Sequence, residues 1–370
     1  MSRVHRDFFM SEHEKYLKRT FELAEKGRGY TSPNPVVGAV IVRDGAIISE
    51  GWHQLFGAEH AEVMALKVAG ERARSATLYV NLEPCCFHGK TPPCTDAIIE
   101  AGIAEVVIAT LDPNPRVNGA GVQRLESAGI KVVHGIAADQ ARQLNRGFFK
   151  LVTDKRPWMT LKLALTIDGF IADVTGKSKW ITGELSRNFV HQQRQQHDAV
   201  LVGLGTLFKD DPTLLPDDHA GYIPYRMVID ENLHIPFRMN LISDQFHTRT
   251  IVLTGSGANQ VKIREFTTRG IKVVAVPKDE FGWINLPELF RILGEMGVTS
   301  VYCEGGSQLA GSLLMTKLVD EIQLFIAPKI LGEGLRAFSG LMQTLDTALQ
   351  VQWEEVRQLE SDLLLRGRLS

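Results

Sequence analysis

"VNLEPCCFHGKTPPCTDA", residues 80–97, closes a strand at Pro84 and Cys85 and opens a helix at Cys94. Within ten positions it gathers three of the chain's four cysteines, Cys85, Cys86 and Cys94, together with His88. Outward from this run, strand-like and helix-like segments alternate. Upstream, "VVGAVIVRDGAIISEGWH" holds two strand-like stretches about Asp44 and Gly45, a hairpin turn signal. A helix starts near His60, and an earlier one, "EHEKYLKRTFELAEKG", spaces its apolar residues helically and stops at Gly27. Downstream come the strand "EVVIAT", a helix near 121–128, the strand "KVVHG" and a helix over "AADQARQLNRGF". Such alternation predicts an α/β fold, a largely parallel sheet with helices on its faces.

At "KLVTDKRPWM" (150–159) the rhythm restarts with a long strand, "WMTLKLAL", which puts a domain boundary there and divides the chain into 1–150 and 151–370. The second part alternates again, with strands at "AVLVG", "RMVID", "RTIVLTG", "IKVVAV", "SVYCEG" and "EIQLFIAP". A length of 370 residues suits two cores rather than one. The net charge of −2, with 23% charged residues, offers no polyanion-binding surface, so nucleic acid is not expected as a partner. The opening "MSRVHRDFFM" lacks the apolar core of a signal peptide, and no run is long enough to span a bilayer. A cytoplasmic protein is expected, with no membrane partner. In a reducing compartment its four cysteines are free thiols or metal ligands rather than disulfides.

His60 and Glu62 stand two apart where a helix begins. Residues at that spacing do not share a helix face, so they suit a division of labour, with His60 as a metal ligand and Glu62 reaching toward a bound water. An imidazole and two thiolates make a three-ligand zinc site whose fourth position is open, and zinc lowers the pKa of water held there toward ~7. A neighbouring carboxylate shuttles its protons. Adjacent cysteines in extended chain point to opposite sides, so Cys85 and Cys86 do not share one ion, and the residues alone do not choose between them. Zinc deaminases carry H-x-E followed by P-C-x-x-C. Here the first half matches, but eight residues separate Cys85 from Cys94.

"HAE", "LEPCCFHGKTPPC" and "DPNPRVNGAG", in this order, resemble the bifunctional deaminase/reductase family of riboflavin biosynthesis. The resemblance runs from the first helix nearly to the end of the chain, and the "HGKTPPC" loop is its most specific part. It implies a cytidine-deaminase-like three-layer α/β/α domain followed by a dihydrofolate-reductase-like α/β domain. It implies one Zn2+ held by His60, Cys85 and Cys94, with Glu62 as the proton shuttle. Cys86 then becomes a small buried residue, and His88 a loop residue that packs there or contacts the substrate. Asn34 would bind the pyrimidine, where "SPNP" alone reads equally as a turn. His53 and Lys90 would face the sugar and phosphate, although a lysine in such a loop is also an ordinary solvated side chain.

In the second part, "VTSVYCEGGSQLAGSLLMTK" reads as a strand, two glycines and a helix from near Ser307. Backbone amides there, with no Cβ on Gly305 or Gly306, suit a dinucleotide phosphate, and a plain strand-to-helix turn suits them as well. "VLTGSGANQV" is a second glycine-rich strand end, and neither matches G-x-G-x-x-G. "KLALTIDGFIA", "SKWITG", "GLGTLFKDDPTL" and "CEGGSQLAGSLL" resemble the reductase half of the same family. By that resemblance Ala164, Trp180, Thr206, Asp210, Gly305, Gly306 and Ser307 contact NADPH. Lys162, Ser178, Arg194, Leu214 and Glu304 contact the phosphoribosylated substrate. The implied chemistry is hydride delivery to the sugar's C1′, which opens the ribose to a ribityl chain.

One departure stands out. After "DDP" the family carries an arginine that grips the substrate phosphate, whereas this chain has Leu215, Pro216 and Asp217 there. An aspartate repels what an arginine would pair bidentately. Arg226 or another cation would have to take over, or reductase substrate affinity falls. The implied function is zinc-dependent deamination of diaminohydroxyphosphoribosylaminopyrimidine, then NADPH-dependent reduction of phosphoribosylaminouracil, in a homo-oligomer built through the second domain. A zinc deaminase acting on a nucleoside or tRNA base, with a non-catalytic second domain, is the competing reading. A purely structural zinc is the third, and it calls for a fourth protein ligand such as His88.

Overall fold

The computed structural model describes residues 12–217, 219 and 221–369, so the opening "MSRVHRDFFM" lies outside the described residues. The chain divides after Asp154 into two compact units. The first comprises α1 (Glu12–Glu25), β1 (Gly38–Arg43), β2 (Ala46–Trp52), α2 (Ala61–Ala69), β3 (Thr77–Val80), α3 (Cys94–Glu100), β4 (Glu105–Ile108), α4 (Ala120–Ser127), β5 (Lys131–His134), α5 (Ala138–Leu144) and α6 (Arg146–Asp154).

Its five strands lie in the order β2-β1-β3-β4-β5. β3, β4 and β5 are parallel, while β1 runs antiparallel to both neighbours, so the sheet is mixed. Alternation along β1 sends Ala39 and Ile41 to a core shared with α2, α3 and α4, and Val40 and Val42 to a core shared with α1 and α5. The result is a three-layer α/β/α sandwich. Gly51 of β2 lets α2 begin directly on the sheet, since a Cβ there would stand 2.4 Å from the Ala61 carbonyl oxygen. The helix expected over "AADQARQLNRGF" is divided between α5 and α6 at Asn145. Its buried amide side chain accepts from the Val36 N–H (2.8 Å) and donates to the Val36 carbonyl (3.0 Å), a bond to remote backbone that local periodicity cannot announce.

The second unit holds β6 (Trp158–Thr166), β7 (Phe170–Ala172), α7 (Glu184–Gln195), β8 (Ala199–Gly203), α8 (Leu204–Asp210), β9 (Tyr225–Ile229), α9 (Asn240–Ser243), β10 (Thr250–Gly255), α10 (Gln260–Thr267), β11 (Lys272–Val276), α11 (Leu286–Glu295), β12 (Ser300–Cys303), α12 (Ser307–Met315), β13 (Glu321–Ala327), β14 (Leu335–Arg336), β15 (Val351–Leu359) and β16 (Asp362–Leu369). Nine strands form one sheet in the order β11-β10-β9-β8-β12-β6-β13-β16-β15. The seven from β11 to β13 are parallel, and the β15–β16 hairpin adds two antiparallel strands at the edge. Parallel strands buried on both faces need continuous apolar runs, and "AVLVG" and "TIVLTG" supply them. No helix among the described residues is long and apolar enough to cross a membrane.

Candidate active sites

In the first unit His60 is the residue before α2 and Cys94 is the first residue of α3, while Cys85 sits beyond the end of β3. The His60 Nδ1 lies 3.1 Å from Cys94 Sγ and 3.6 Å from Cys85 Sγ, and the Cys94 N–H donates to Cys85 Sγ at 3.3 Å. All three ligand atoms fall within 4.8 Å of one another. A tetrahedral zinc with ordinary bond lengths requires N···S edges of about 3.5 Å and an S···S edge of about 3.8 Å, so the triangle has the right size.

The two sulfurs share a proton unequally. The hydrogen bond from the Cys94 thiol, helped by His60, holds Cys85 down to about 4. The same bond, together with burial, pushes Cys94 well up. An arriving dication displaces that one proton, which is the usual coupling of thiolate ligation to proton release.

Glu62 lies one residue into α2, is 3% exposed, and its Oε2 has no hydrogen-bond partner. Burial raises its carboxyl above the ordinary range. A buried polar atom without a protein partner is costly unless water satisfies it, and a water on a zinc held by the triangle would do so. The residues present therefore fit a zinc with one open position. Among the described residues no further ligand joins the group. His88 is exposed, and Cys86 turns its thiol toward the Arg116 carbonyl at 3.7 Å.

Two more predicted residues converge here. His53, 2% exposed, has its ring 5.3 Å from that of His60. Its Nδ1 meets the Glu59 carbonyl at 3.0 Å and its Nε2 meets Asn34 Nδ2 at 3.3 Å. A carbonyl only accepts and an amide nitrogen only donates, so His53 carries its proton on Nδ1. Burial lowers its pKa and keeps the ring neutral. Lys90 is exposed, its ammonium 3.8 Å from the centre of the Phe56 ring.

Sequence reasoning passed over Glu83. This buried carboxylate, two residues before Cys85, accepts four backbone N–H bonds, from Asp112 (3.2 Å), Gly119 (2.9 Å), Gly121 (3.0 Å) and Val122 (3.2 Å). It ties the "DPNPRVNGAG" loop and the start of α4 to the segment after β3 that carries Cys85. The only local signal was a glutamate directly before Pro-Cys.

In the second unit β12 ends at Cys303, and Glu304, Gly305 and Gly306 lead into α12. Ser307 is buried, and its Oγ has no partner among the described atoms. A Cβ on Gly306 would lie 3.4 Å from Thr206 Oγ1, which places the starts of α8 and α12 side by side. An orphaned hydroxyl between two helix starts fits the diphosphate of a dinucleotide. Next to it, Glu304 takes a two-pronged bond from Arg194 (2.6 and 3.0 Å), and Lys162 Nζ stands 3.9 Å away. Burial opposes the Glu304 charge, but Arg194 and Lys162 outweigh it and hold the carboxyl below its ordinary range. Burial lowers Lys162.

Ser178 Oγ donates to Asp210 at 3.3 Å. Ala164 pairs with Phe325 across β6 and β13. Trp180 is 65% exposed beneath the Arg187 guanidinium. The Leu214 side chain is buried in the core around Val202 and Val228, which leaves only its backbone for a ligand. The Arg194 Nη1 also donates to the Leu215 carbonyl at 2.7 Å. Asp217 pairs with His191.

Arg226, considered above as a substitute phosphate cation, is fully buried. It is bound to Asp244 (2.5 and 2.8 Å), to the Thr213 and Leu241 carbonyls and to Thr250 Oγ1. A strand arginine looked available in the sequence, but its guanidinium is consumed inside the fold.

Residues 10–110 match the cytidine and deoxycytidylate deaminase zinc-binding region, and residues 157–365 match the RibD C-terminal domain. The riboflavin biosynthesis protein RibD of Aquifex aeolicus is 42% identical over 95% of this chain and 97% of that protein. Its counterpart in Escherichia coli is 40% identical over 95% of this chain and 98% of its own length. Among solved structures, the diaminohydroxyphosphoribosylaminopyrimidine deaminase/5-amino-6-(5-phosphoribosylamino)uracil reductase of Thermotoga maritima aligns with a TM-score of 0.86 at 39% identity. That alignment covers 97% of this chain and 99% of the other. Acinetobacter baumannii RibD aligns with the same TM-score of 0.86 at 34% identity and the same coverage.

Proposed function

Because the chain belongs to the RibD family of riboflavin-biosynthesis enzymes, we propose that its first unit is the zinc-dependent pyrimidine deaminase and its second the NADPH-dependent reductase of one bifunctional enzyme. The substrates are phosphoribosylated pyrimidines. The first unit replaces the exocyclic amine of diaminohydroxyphosphoribosylaminopyrimidine by oxygen, and the second reduces the ribosyl group of phosphoribosylaminouracil to the ribityl form. The observation that carries the deaminase half is the partnerless Glu62 Oε2 beside the His60, Cys85 and Cys94 triangle.

Zinc, when bound, supplies the Lewis acidity that makes a water nucleophilic near neutral pH. Glu62 would take one proton of that water at Oε2 and pass it to the ring nitrogen, then carry the second, from the oxygen newly bonded to carbon, to the amine, which leaves as ammonia. Asn34, its Nδ2 fixed by His53, turns its amide oxygen to the pyrimidine edge, and Lys90 on the rim meets the phosphate. In the second unit NADPH supplies a hydride. Gly305, Gly306, Ser307 and Thr206 hold its diphosphate, while Ala164, Trp180 and Asp210 border the nicotinamide side. Lys162, Arg194 and Glu304 form the polar wall for the sugar, with Ser178 and the backbone of Leu214 beside it.

A nucleoside or tRNA deaminase with a non-catalytic second domain is not favoured, since the second domain matches the reductase half of full-length relatives. The reading includes a cytoplasmic location, which four free thiols support. It also includes a homo-oligomer through the second unit, supported by the long edge strand β15 with exposed Trp353 and Val356.

The test is zinc content together with ammonia release from the diaminopyrimidine substrate, followed by NADPH oxidation on the deaminated product. Ammonia release without any NADPH oxidation would reduce the protein to a deaminase. Light scattering of the purified chain checks the oligomer.

A further inference from the structure

The sheet order gives the second unit a row of neighbouring strand ends. From β6 through β12, β8 and β9 to β10 every pair is parallel, so their carboxyl ends lie side by side at about 4.8 Å per step. Ala164 is near the end of β6, Gly305 to Ser307 follow β12, and Thr206 follows β8. A dinucleotide with its nicotinamide by Ala164 and its diphosphate at Ser307 carries its adenosine onward past β9 toward β10, about 10 Å beyond β8.

At that end stands Gly255. A Cβ there would be 2.5 Å from Lys278 Cε and 3.3 Å from the Glu231 carbonyl oxygen, so the Lys278 side chain lies directly across the glycine. Lys278 is itself anchored by a backbone bridge to Ile284. Among the described residues its ammonium has neither an ion pair nor a hydrogen bond. Nearby, Lys262 donates to the Leu233 carbonyl at 3.0 Å, and the neutral Asn259 side chain caps α10 by accepting from the Val261 N–H at 2.8 Å.

An acidic residue at such a strand end ordinarily binds the ribose 2′-hydroxyl and so selects the unphosphorylated coenzyme. Two acids follow β9, and each turns its carboxylate toward backbone amides. Asp230 is 1% exposed and accepts from the Ile235 N–H (2.9 Å) and the Asn232 N–H (3.4 Å). The Glu231 carboxylate faces the Ile284 N–H at 3.4 Å. Lys278, lying across Gly255 at the adenosine end of the row, offers a compact point charge suited to phosphate.

We propose that Lys278 contacts the 2′-phosphate of the adenosine ribose and sets the preference of this chain for NADPH over NADH. The proposal rests on the cofactor reading given above, in which the diphosphate lies at Ser307.

Direct binding of NADPH and of NADH to the full-length chain tests it, by calorimetry or by energy transfer from tryptophan to the bound nicotinamide. Lys278→Met keeps the aliphatic cover over Gly255 and removes the charge. It is expected to weaken NADPH at least tenfold, about the worth of one charge-assisted contact, and to leave NADH within about twofold. Lys278→Arg is expected to restore most of the preference. Equal weakening of both coenzymes by Lys278→Met, or of neither, overturns the assignment. Ser307→Asp separates the two readings, because an acid in the first turn favours α12 itself while repelling a diphosphate. Loss of both coenzymes in Ser307→Asp upholds the cofactor site, so that a failure of Lys278→Met then counts against Lys278 alone. Unchanged NADPH binding in Ser307→Asp overturns both.

Discussion

Arg226 and Asp244 meet in a two-pronged ion pair, 2.5 and 2.8 Å, with the guanidinium entirely out of solvent. Breaking a buried pair by removing one partner leaves the other charge uncompensated, at a cost of about 3–5 kcal/mol. Arg226→Met is therefore expected to lose about that much stability in denaturant unfolding, while the protein that remains folded keeps its affinity for the reductase substrate. Unchanged stability with a raised KM for the phosphoribosylated uracil would return Arg226 to the role of a phosphate ligand.

Glu62 sits beside the metal triangle without joining it. Glu62→Gln keeps the shape and loses the proton carrier, so zinc content stays near one per chain while deamination falls by about 10²–10⁴-fold, the usual worth of a positioned acid–base group. Ammonia release at the wild-type rate would remove Glu62 from the chemistry.

The four cysteines divide by environment. Cys85→Ser is expected to strip the metal and Cys86→Ser to retain it, as metal analysis of the two variants would show. Alkylation gives a second readout. Burial pushes Cys303 up to about 12, so it stays unreactive at pH 8 until the chain unfolds. In the zinc-loaded protein Cys86 alone should label, and chelation should add Cys85 and Cys94. Labelling of Cys85 before chelation would contradict its place on the ion.

The sequence made the candidate metal cluster largely legible, because His60 and Cys94 stand at helix starts and Cys85 lies in the loop between β3 and α3. His60 precedes a helix, Cys94 follows two prolines, and Cys85 follows Pro84 in the loop beyond the end of β3 at Val80. What stayed hidden depends on remote partners. The Glu83 bonds reach 29 to 39 residues downstream, and nothing local distinguishes a buried glutamate fed by four amides from a solvated one. Arg226 read as an available cation because its partner Asp244 lies 18 residues away on another element. The β15–β16 hairpin went unread because "VQWEEVRQL" is mostly exposed and lacks an alternating apolar face. Asn145 divides a helix for the sake of Val36, 109 residues earlier.

Asp112 gives the fold a pH dependence whose sign can be fixed. It is 9% exposed, and burial, with Glu83 and Cys85 nearby, raises its carboxyl from an ordinary 3.8 to about 6. The folded chain thus keeps this proton over a range in which the unfolded chain has released it. Below about pH 4 both forms are protonated and Asp112 costs nothing. As pH rises from about 4 to about 6 the unfolded state ionises first, stability falls, and above that range the loss is constant. A shift of this size corresponds to at most about 3 kcal/mol. Asp112→Asn still accepts from the Asn114 N–H, which Asp112 holds at 2.7 Å, and it never ionises. Urea unfolding of the zinc-loaded protein should show the asparagine variant gaining on the wild type by about 1–3 kcal/mol between pH 4 and pH 8, with most of the change complete by pH 6.5. A difference that is flat across this range, or one that favours the aspartate as pH rises, would show that the Asp112 charge is compensated in the folded state.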